Sequence, residues 1–179
     1  GDIILGKQGN STRANLGGKI WNNDQEQILI GSFLGDGHFN KIKDGTFRLS
    51  VIHGDKQQDY CKWKADMMCA GIYTIEHNGY AQTKATKFTT KMFHYSDTPS
   101  KKDNCPQRII DKLDQRGLAI WFMDDGSRNK NTATISTCSF DEDSVNRLSK
   151  KLITMGIDCK AVFTKYTDRR APGYWDIRI

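Results

Sequence analysis

Two apolar runs in this 179-residue chain stop in the same way, at an Asp-Gly pair. The first reads Leu29-Ile30-Gly31-Ser32-Phe33-Leu34-Gly35-Asp36-Gly37, and the second reads Leu118-Ala119-Ile120-Trp121-Phe122-Met123-Asp124-Asp125-Gly126. Each has the look of a helix. A carboxylate at the end of a buried apolar helix is costly unless it is paired or holds a metal. One such ending would be a plain helix stop. Two of them imply a duplicated unit that delivers two acids, Asp36 and Asp125, to one place. That arrangement suits metal-assisted chemistry on a symmetric substrate.

The elements around the motifs repeat as well. Asn23 or Asp24, with Glu26 nearby, is placed to cap the first helix, which is expected to run to Asp36 with Gly37 as its C-terminal glycine. Asp44-Gly45 is a tight-turn pair. The strand after it alternates Phe47, Leu49 and Val51 with Arg48 and Ser50. Residues 56–70 carry Tyr60, Trp63, Met67 and Met68 at helical spacing, stopped by Gly71, and a second hairpin turns at Asn78-Gly79. After a polar connector the series begins again. The second motif helix is followed by a turn at 129–131 and a strand with Thr132, Thr134 and Ser136 opposite Ala133 and Ile135. A helix on Val145, Leu148, Leu152 and Met155 comes next, then strands over 157–166 and 173–179. Met68-Cys69-Ala70-Gly71-Ile72 parallels Ile153-Thr154-Met155-Gly156-Ile157, which supports duplication. The expected class is α+β, an αββαββ unit used twice. Its boundaries are an arm over 1–20, a first half over 21–98, a linker over 99–107 and a second half over 108–179, with no closing helix after the last strand.

Lys+Arg number 27 against 21 Asp+Glu, for a net charge of +6 and a pI near 9.0, a balance that permits nucleic acid as partner without requiring it. No apolar stretch approaches the roughly 20 residues that span a bilayer, and no signal peptide is visible, so no membrane partner is expected. Cys61, Cys69, Cys105, Cys138 and Cys159 are odd in number and show no CxxC pair. They read as reduced thiols in an intracellular, reducing compartment, whether an organelle or a bacterial or phage-infected cytoplasm. His38, His53, His77 and His94 show no metal-ligand spacing and read as solvated or strand-end residues. Trp121, Phe122 and Met123, with Trp63 and Trp175, read as core.

Hydrolysing a phosphodiester requires a nucleophilic water and a stabilised leaving oxygen, and divalent metals held by carboxylates supply both. A DNA duplex has local two-fold symmetry, so each of two acids can serve one strand. A twisted antiparallel sheet with a polar, basic face fits a major groove. Arg48, Ser50, Lys87, Thr89, Lys91, Thr132, Thr134 and Ser136 have the parity for such faces. The loop cations Lys41, Lys43, Arg128, Lys130, Arg169 and Arg170 are candidate phosphate contacts, and Lys165 is a further candidate DNA contact.

The two nonapeptides resemble the paired motif of the LAGLIDADG homing endonucleases, and LAIWFMDDG is similar to the form found in organellar and phage intron-encoded members. The resemblance covers roughly residues 22–179. It implies a single-chain monomer whose two halves are related by a pseudo-two-fold, with the motif helices packed at the centre and two antiparallel DNA-binding sheets. It implies that Asp36 and Asp125 hold magnesium, with calcium or manganese able to substitute for binding, and that Gly35 and Asp124 offer backbone carbonyls. It further implies cleavage of both strands of a long DNA site across its minor groove, leaving 3′ overhangs. Lys101-Lys102, ahead of Pro106, stands where the family often keeps a catalytic-site lysine. The second motif departs from the family at Ile120 and Asp124, where small residues normally line the helix contact. A maturase-like RNA splicing cofactor, with intron RNA as partner, or a non-cleaving DNA-binding regulator is the alternative. No splicing-type start is seen at Gly1 and no His-Asn ending at Ile179, so a free-standing or intron-encoded protein is expected over an intein-borne nuclease.

Overall fold

The computed structural model describes residues 22–41, 47–77, 80–90, 104–167 and 172–179; of these, the side chains of 39–41, 47–48, 55, 71–77 and 80–90 are left aside. The chain divides into two compact units, Gly1–Ser96 and Asp97–Ile179.

In the first unit, helix α1 spans Asn23–Leu34. Its N-cap is Asn22, one residue before the expected Asn23 or Asp24. The Asn22 side chain accepts from the Gln25 N–H at 2.9 Å, and the Gln25 side chain accepts from the Asn22 N–H. This capping box satisfies two of the four N–H groups that a helix start leaves open. Gln25 Nε2 also donates to the Met67 carbonyl at 3.1 Å, tying the start of α1 to the end of the next helix. Strands β1 (His38–Lys41) and β2 (Phe47–Gly54), a 3-10 turn (Asp55–Gln57), helix α2 (Gln58–Met67) and strands β3 (Gly71–His77) and β4 (Tyr80–Thr90) follow. The four strands form one antiparallel sheet in the order β1-β2-β4-β3. Leu49 and Val51 of β2 are buried, as are Cys61, Lys64, Ala65 and Met68 at the far side of α2. The buried stripe of α2 is therefore turned away from the expected Tyr60, Trp63 and Met67. Trp63 is 39% exposed, and a lysine takes an interior place.

The second unit opens with a short helix, α3 (Gln107–Lys112), which the sequence reading did not anticipate. Its apolar pair Ile109 and Ile110 is buried, and Leu113 leaves helical geometry at ψ 122°. Helix α4 (Gln115–Asp125) is capped by Asp114, whose carboxylate accepts from the Arg116 and Gly117 N–H groups. Strands β5 (Gly126–Asn129) and β6 (Thr132–Ser136), helix α5 (Glu142–Thr154) and strands β7 (Lys160–Lys165) and β8 (Gly173–Arg178) complete it. The sheet order is β5-β6-β8-β7, again antiparallel, so the αββαββ series is present in both units. Val145, Leu148 and Leu152 of α5 are buried, as are Ile135 and Ile177 of the sheet. Arg147 of α5 donates to the Cys105 carbonyl, to Asn104 and to Gln107, fastening the strand-less segment before α3.

The two motif helices end differently. Helix α1 stops at Leu34, two residues short of the expected Asp36. Gly35 is its C-cap, with its N–H on the Gly31 carbonyl at 2.9 Å, and the Gly37 N–H reaches back to the Ser32 carbonyl at 2.7 Å. Helix α4 instead carries its intrahelical bonding through Asp125, and the Gly126 N–H bonds the Phe122 carbonyl. Both glycines are required by close approach. A Cβ at Gly37 would collide with the Ser32 carbonyl and the Leu49 side chain, and one at Gly126 with the Phe122 carbonyl and ring.

Asp176 is the buried acid of the second sheet. It sits opposite Ser136 and Val162 and accepts from the Thr137 N–H at 3.4 Å. Burial pushes its carboxyl above the usual carboxylate range, against the opposing pull of the Thr137 N–H and the Arg178 charge.

Two expectations follow from this packing. Gly37→Ala and Gly126→Ala each force a backbone shift and lower stability by about 1–3 kcal/mol, the usual cost of overpacking, measurable as a drop in urea midpoint. At Asp176 the folded state binds its proton more tightly than the unfolded chain. Its ionised form therefore costs stability at neutral pH, and that cost fades as pH falls through the raised native value. Asp176→Asn, which keeps an acceptor for Thr137, raises Tm at pH 7, and the gain shrinks on acidification in melts taken across the pH range.

Candidate active site

A helix carboxyl terminus carries partial negative charge, so an acid there is doubly unfavourable without a cation. Helix α4 nevertheless ends in Asp124 and Asp125 and α1 stops two residues before Asp36, and neither helix has a basic residue in its last turn. In the first unit Asp36 lies between α1 and β1, with its side chain 41% exposed, while Gly35 and Gly37 on either side are buried. Exposed carboxylate oxygens backed by helix-terminal carbonyls are a hard, negative donor set of the kind that Mg²⁺ and Ca²⁺ take.

Behind Asp36 is a group that the sequence reading left at the surface. His53 Nδ1 lies 3.8 Å from Asp36 Oδ2. His53 is buried, on the same side of β2 as Leu49 and Val51. Its other ring nitrogen, Nε2, is 3.2 Å from Nζ of Lys64, which is fully buried on α2. Lys64 Nζ stands 4.3 Å over the Tyr60 ring, and the His53 and Tyr60 rings are 4.9 Å apart. A cation over an aromatic face and a hydrogen bond to imidazole both soften the cost of burying an ammonium. The signal was present in the sequence. Alternation from Leu49 through Val51 continues to His53, and Cys61, Lys64, Ala65 and Met68 form an i, i+3, i+4, i+7 set.

In the second unit Asp124 and Asp125 end α4, both half-buried. Trp121 is buried and Phe122 half-buried, as a core reading requires, but Met123 is 47% exposed because its neighbours take the inner face of α4. Among its described residues the unit has no buried histidine–lysine pair. Two residues beyond the buried Ile135 stands Thr137, as His53 stands two beyond Val51. Thr137 donates to the Trp175 carbonyl at 2.6 Å. The buried residues of α5, Ser144, Val145, Leu148, Ser149 and Leu152, include no lysine.

Backbone register sorts the sheet candidates. In the second unit Ser127 faces Thr134, Asn129 faces Thr132, Thr134 faces Arg178, and Arg178 faces Lys160. Thr132, Thr134 and Ser136 thus belong to one polar face, to which Ser127, Asn129, Lys160 and Arg178 are added. Arg128 pairs with Ala133 and Lys165 with Gly173. That puts both in the set of Ile135 and Ile177, at strand ends where they stay exposed, and Arg128 lies in β5 instead of a loop. Lys130 is an exposed turn residue at φ 48°. In the first unit Arg48 pairs with Thr89 and Ser50 with Lys87, while Lys41 is the last residue of β1, opposite Phe47. Ser50 is buried, so it does not present an open surface. Lys43, Lys91, Lys101, Lys102, Arg169 and Arg170 lie outside the described residues.

Among the described residues no helix is long and apolar enough to cross a membrane. The chain is 30% identical over 112 residues to protein RecA of Mycolicibacterium chitae, a match covering 57% of this chain and 26% of that protein. It spans about a quarter to a third of the length of the RecA relatives it matches. It is 28% identical over 170 residues to probable intron-encoded endonuclease 1 of Wickerhamomyces canadensis, covering 79% of this chain and 70% of that protein. Its fold is similar to that of the homing endonuclease I-WcaI bound to its DNA recognition sequence, with TM-score 0.69 and 21% identity over 99% of this chain and 84% of that one. The N-terminal LAGLIDADG domain of DUF199/WhiA shares the fold at TM-score 0.51 and 13% identity over 99% of this chain and 89% of that one. Residues 26–175, spanning both acid-terminated helices, match the LAGLIDADG DNA endonuclease family, and to that family the chain belongs.

Proposed function

We propose that this protein is a site-specific, metal-dependent endonuclease that cuts both strands of a DNA duplex. The observation that carries the reading is the placement of Asp36 and Asp125 at corresponding ends of a repeated αββαββ series. Each sits at a helix terminus that disfavours an acid unless a cation accompanies it. Asp36 and Asp125, with the backbone carbonyls of Gly35 and Asp124, would hold magnesium. Bound there, the metal supplies an activated water and stabilises the leaving oxygen. The protein's own part is to fix the carboxylates and to present the strands. One acid per unit serves one strand, so a single chain suffices, and cleavage across the minor groove with 3′ overhangs is the expected product. Lys101 and Lys102 are the proposed catalytic lysines.

The polar set Ser127, Asn129, Thr132, Thr134, Ser136, Lys160 and Arg178 is the proposed reading face of the second unit. Hydroxyls, an amide and cations of this kind match base edges in a major groove. Arg169, Arg170 and Lys130 are proposed phosphate contacts. Five free thiols suit a reducing compartment.

Cleavage of a plasmid library in magnesium tests the reading directly. A discrete staggered cut identifies the target as well as the activity. Asp36→Asn and Asp125→Asn each lower the cleavage rate about a hundredfold or more, ~3 kcal/mol of transition-state stabilisation, with DNA binding retained. Binding of intron RNA or of DNA without any cut moves the assignment to a splicing cofactor or regulator. Thr134→Val and Arg178→Ala change discrimination at particular base positions, each by about 1–3 kcal/mol, whereas Arg128→Ala and Lys165→Ala leave base preference unchanged. A binding-site selection on the four variants separates the two classes.

A further inference from the structure

We infer that Lys64 and His53 form a positioning pair for Asp36: the ammonium decides which ring nitrogen of His53 carries hydrogen, and that N–H holds the Asp36 carboxylate. The inference rests on the reading of Asp36 as a metal-holding acid.

The chemistry follows from the donor inventory. An ammonium donates and never accepts. With Lys64 held as an ammonium over the Tyr60 ring and its Nζ 3.2 Å from His53 Nε2, that nitrogen offers its lone pair and the ring hydrogen is assigned to Nδ1. Nδ1 is the atom that faces Asp36 Oδ2 at 3.8 Å. That distance is longer than a hydrogen bond, as hydrogen bonds at active sites often are before the substrate is in place. In this tautomer Nδ1 has no free lone pair, so His53 is a donor to the acid and not itself a metal ligand. A carboxylate held on one oxygen by a fixed N–H leaves its other oxygen oriented for a cation, which is how outer partners tune metal sites.

A second, independent observation argues that the pair is not there for folding. The second unit builds the same αββαββ series with Thr137 at the place of His53, and the buried residues of α5, Ser144, Val145, Leu148, Ser149 and Leu152, include no ammonium. Uncharged residues fill the buried face of α5, and exchanging buried charged groups for apolar ones is often neutral or stabilising. The first unit carries the desolvation cost of an ammonium that the repeat does without, and the pair leads to the exposed acid.

The direct test is the tautomer of His53 in the full chain without metal. Long-range proton–nitrogen correlation on ¹⁵N-histidine-labelled protein at pH 8, with His53→Asn to assign the signal, is expected to show the hydrogen on Nδ1. Lys64→Met is expected to move it toward Nε2. Hydrogen mainly on Nε2 in the wild-type protein overturns the inference, whatever the variants do. The second arm measures cleavage of the library-derived DNA target against magnesium concentration. His53→Ala raises the magnesium needed for half-maximal rate about tenfold or more, with the rate at saturating magnesium little changed, and His53→Asn, which keeps a donor near the Nδ1 place, restores it. An unchanged magnesium requirement in His53→Ala overturns the positioning role. A wild-type rate in Asp36→Asn overturns instead the assignment of Asp36 beneath it, an outcome kept apart because the tautomer is read without cleavage.

Discussion

The carboxyl end of a buried helix is a poor place for a negative charge, and the arrangement of this protein turns on keeping one there. Helix α1 is buried over eight consecutive residues, Gln27–Leu34, and has no solvated face on which polar groups could gather. Its polar groups are therefore gathered at its ends. The chain must leave the helix, expose Asp36 and enter the sheet within three residues, and the backbone does so by folding Gly37 against the Ser32 carbonyl. No side chain fits at that crossing. The glycine after each acid is thus a packing requirement, and it sets where β1 and β5 begin, from which the registers of both sheets are counted.

The interior behind Asp36 obeys a different rule from the rest of the core. Elsewhere α2 and α5 bury aliphatic and small residues, each worth about 1.5–3 kcal/mol when a large one is removed from water. At Lys64 the first unit buries an ammonium and steadies it with the His53 ring and the Tyr60 face. The exposed Trp63 beside it belongs to the same choice. Turning α2 to bring Lys64 inward carries Trp63 outward, where it stacks on Tyr60 at a centroid distance of 6.0 Å.

Much of the fold was legible because its signals are periodic. Alternation in β2 and β6 and the i, i+3, i+4 stripe of α5 each name a face, and two Asp-Gly endings name a repeat. Two side chains are misplaced for one physical reason, that residue type outweighs period. Trp63 is read as core on α2 and His53 as a solvated or strand-end residue on β2, although the period assigns the first outward and the second inward. Helix ends were blurred for another reason. Asn22, Asn23 and Asp24 are all competent caps, and only the return bond from Gln25 selects Asn22. The break between α3 and α4 was hidden because Leu113 has no breaking character; it leaves the helix so that Asp114 can cap the next one. At the candidate site, Asp36 and Asp125 were found by repetition. Lys64 and His53 are near one another only because an antiparallel strand and the helix after it fold face to face.

The unequal motif endings bear on how the two acids respond to motion. Asp125 belongs to the hydrogen-bonded ladder of α4, and the Gly126 N–H closes that ladder one residue later. Any tilt or slide of α4 is handed to Asp125 as a rigid displacement. Asp36 lies beyond its ladder, on a short span pinned at Gly35 and Gly37. It is coupled to α1 through two backbone bonds and to the sheet through His53. A helix movement at that end is partly absorbed as torsion in the span. One repeat thus holds its acid like the tip of a lever and the other like a link between two parts, so equal forces on the two helices reach the two carboxylates unequally.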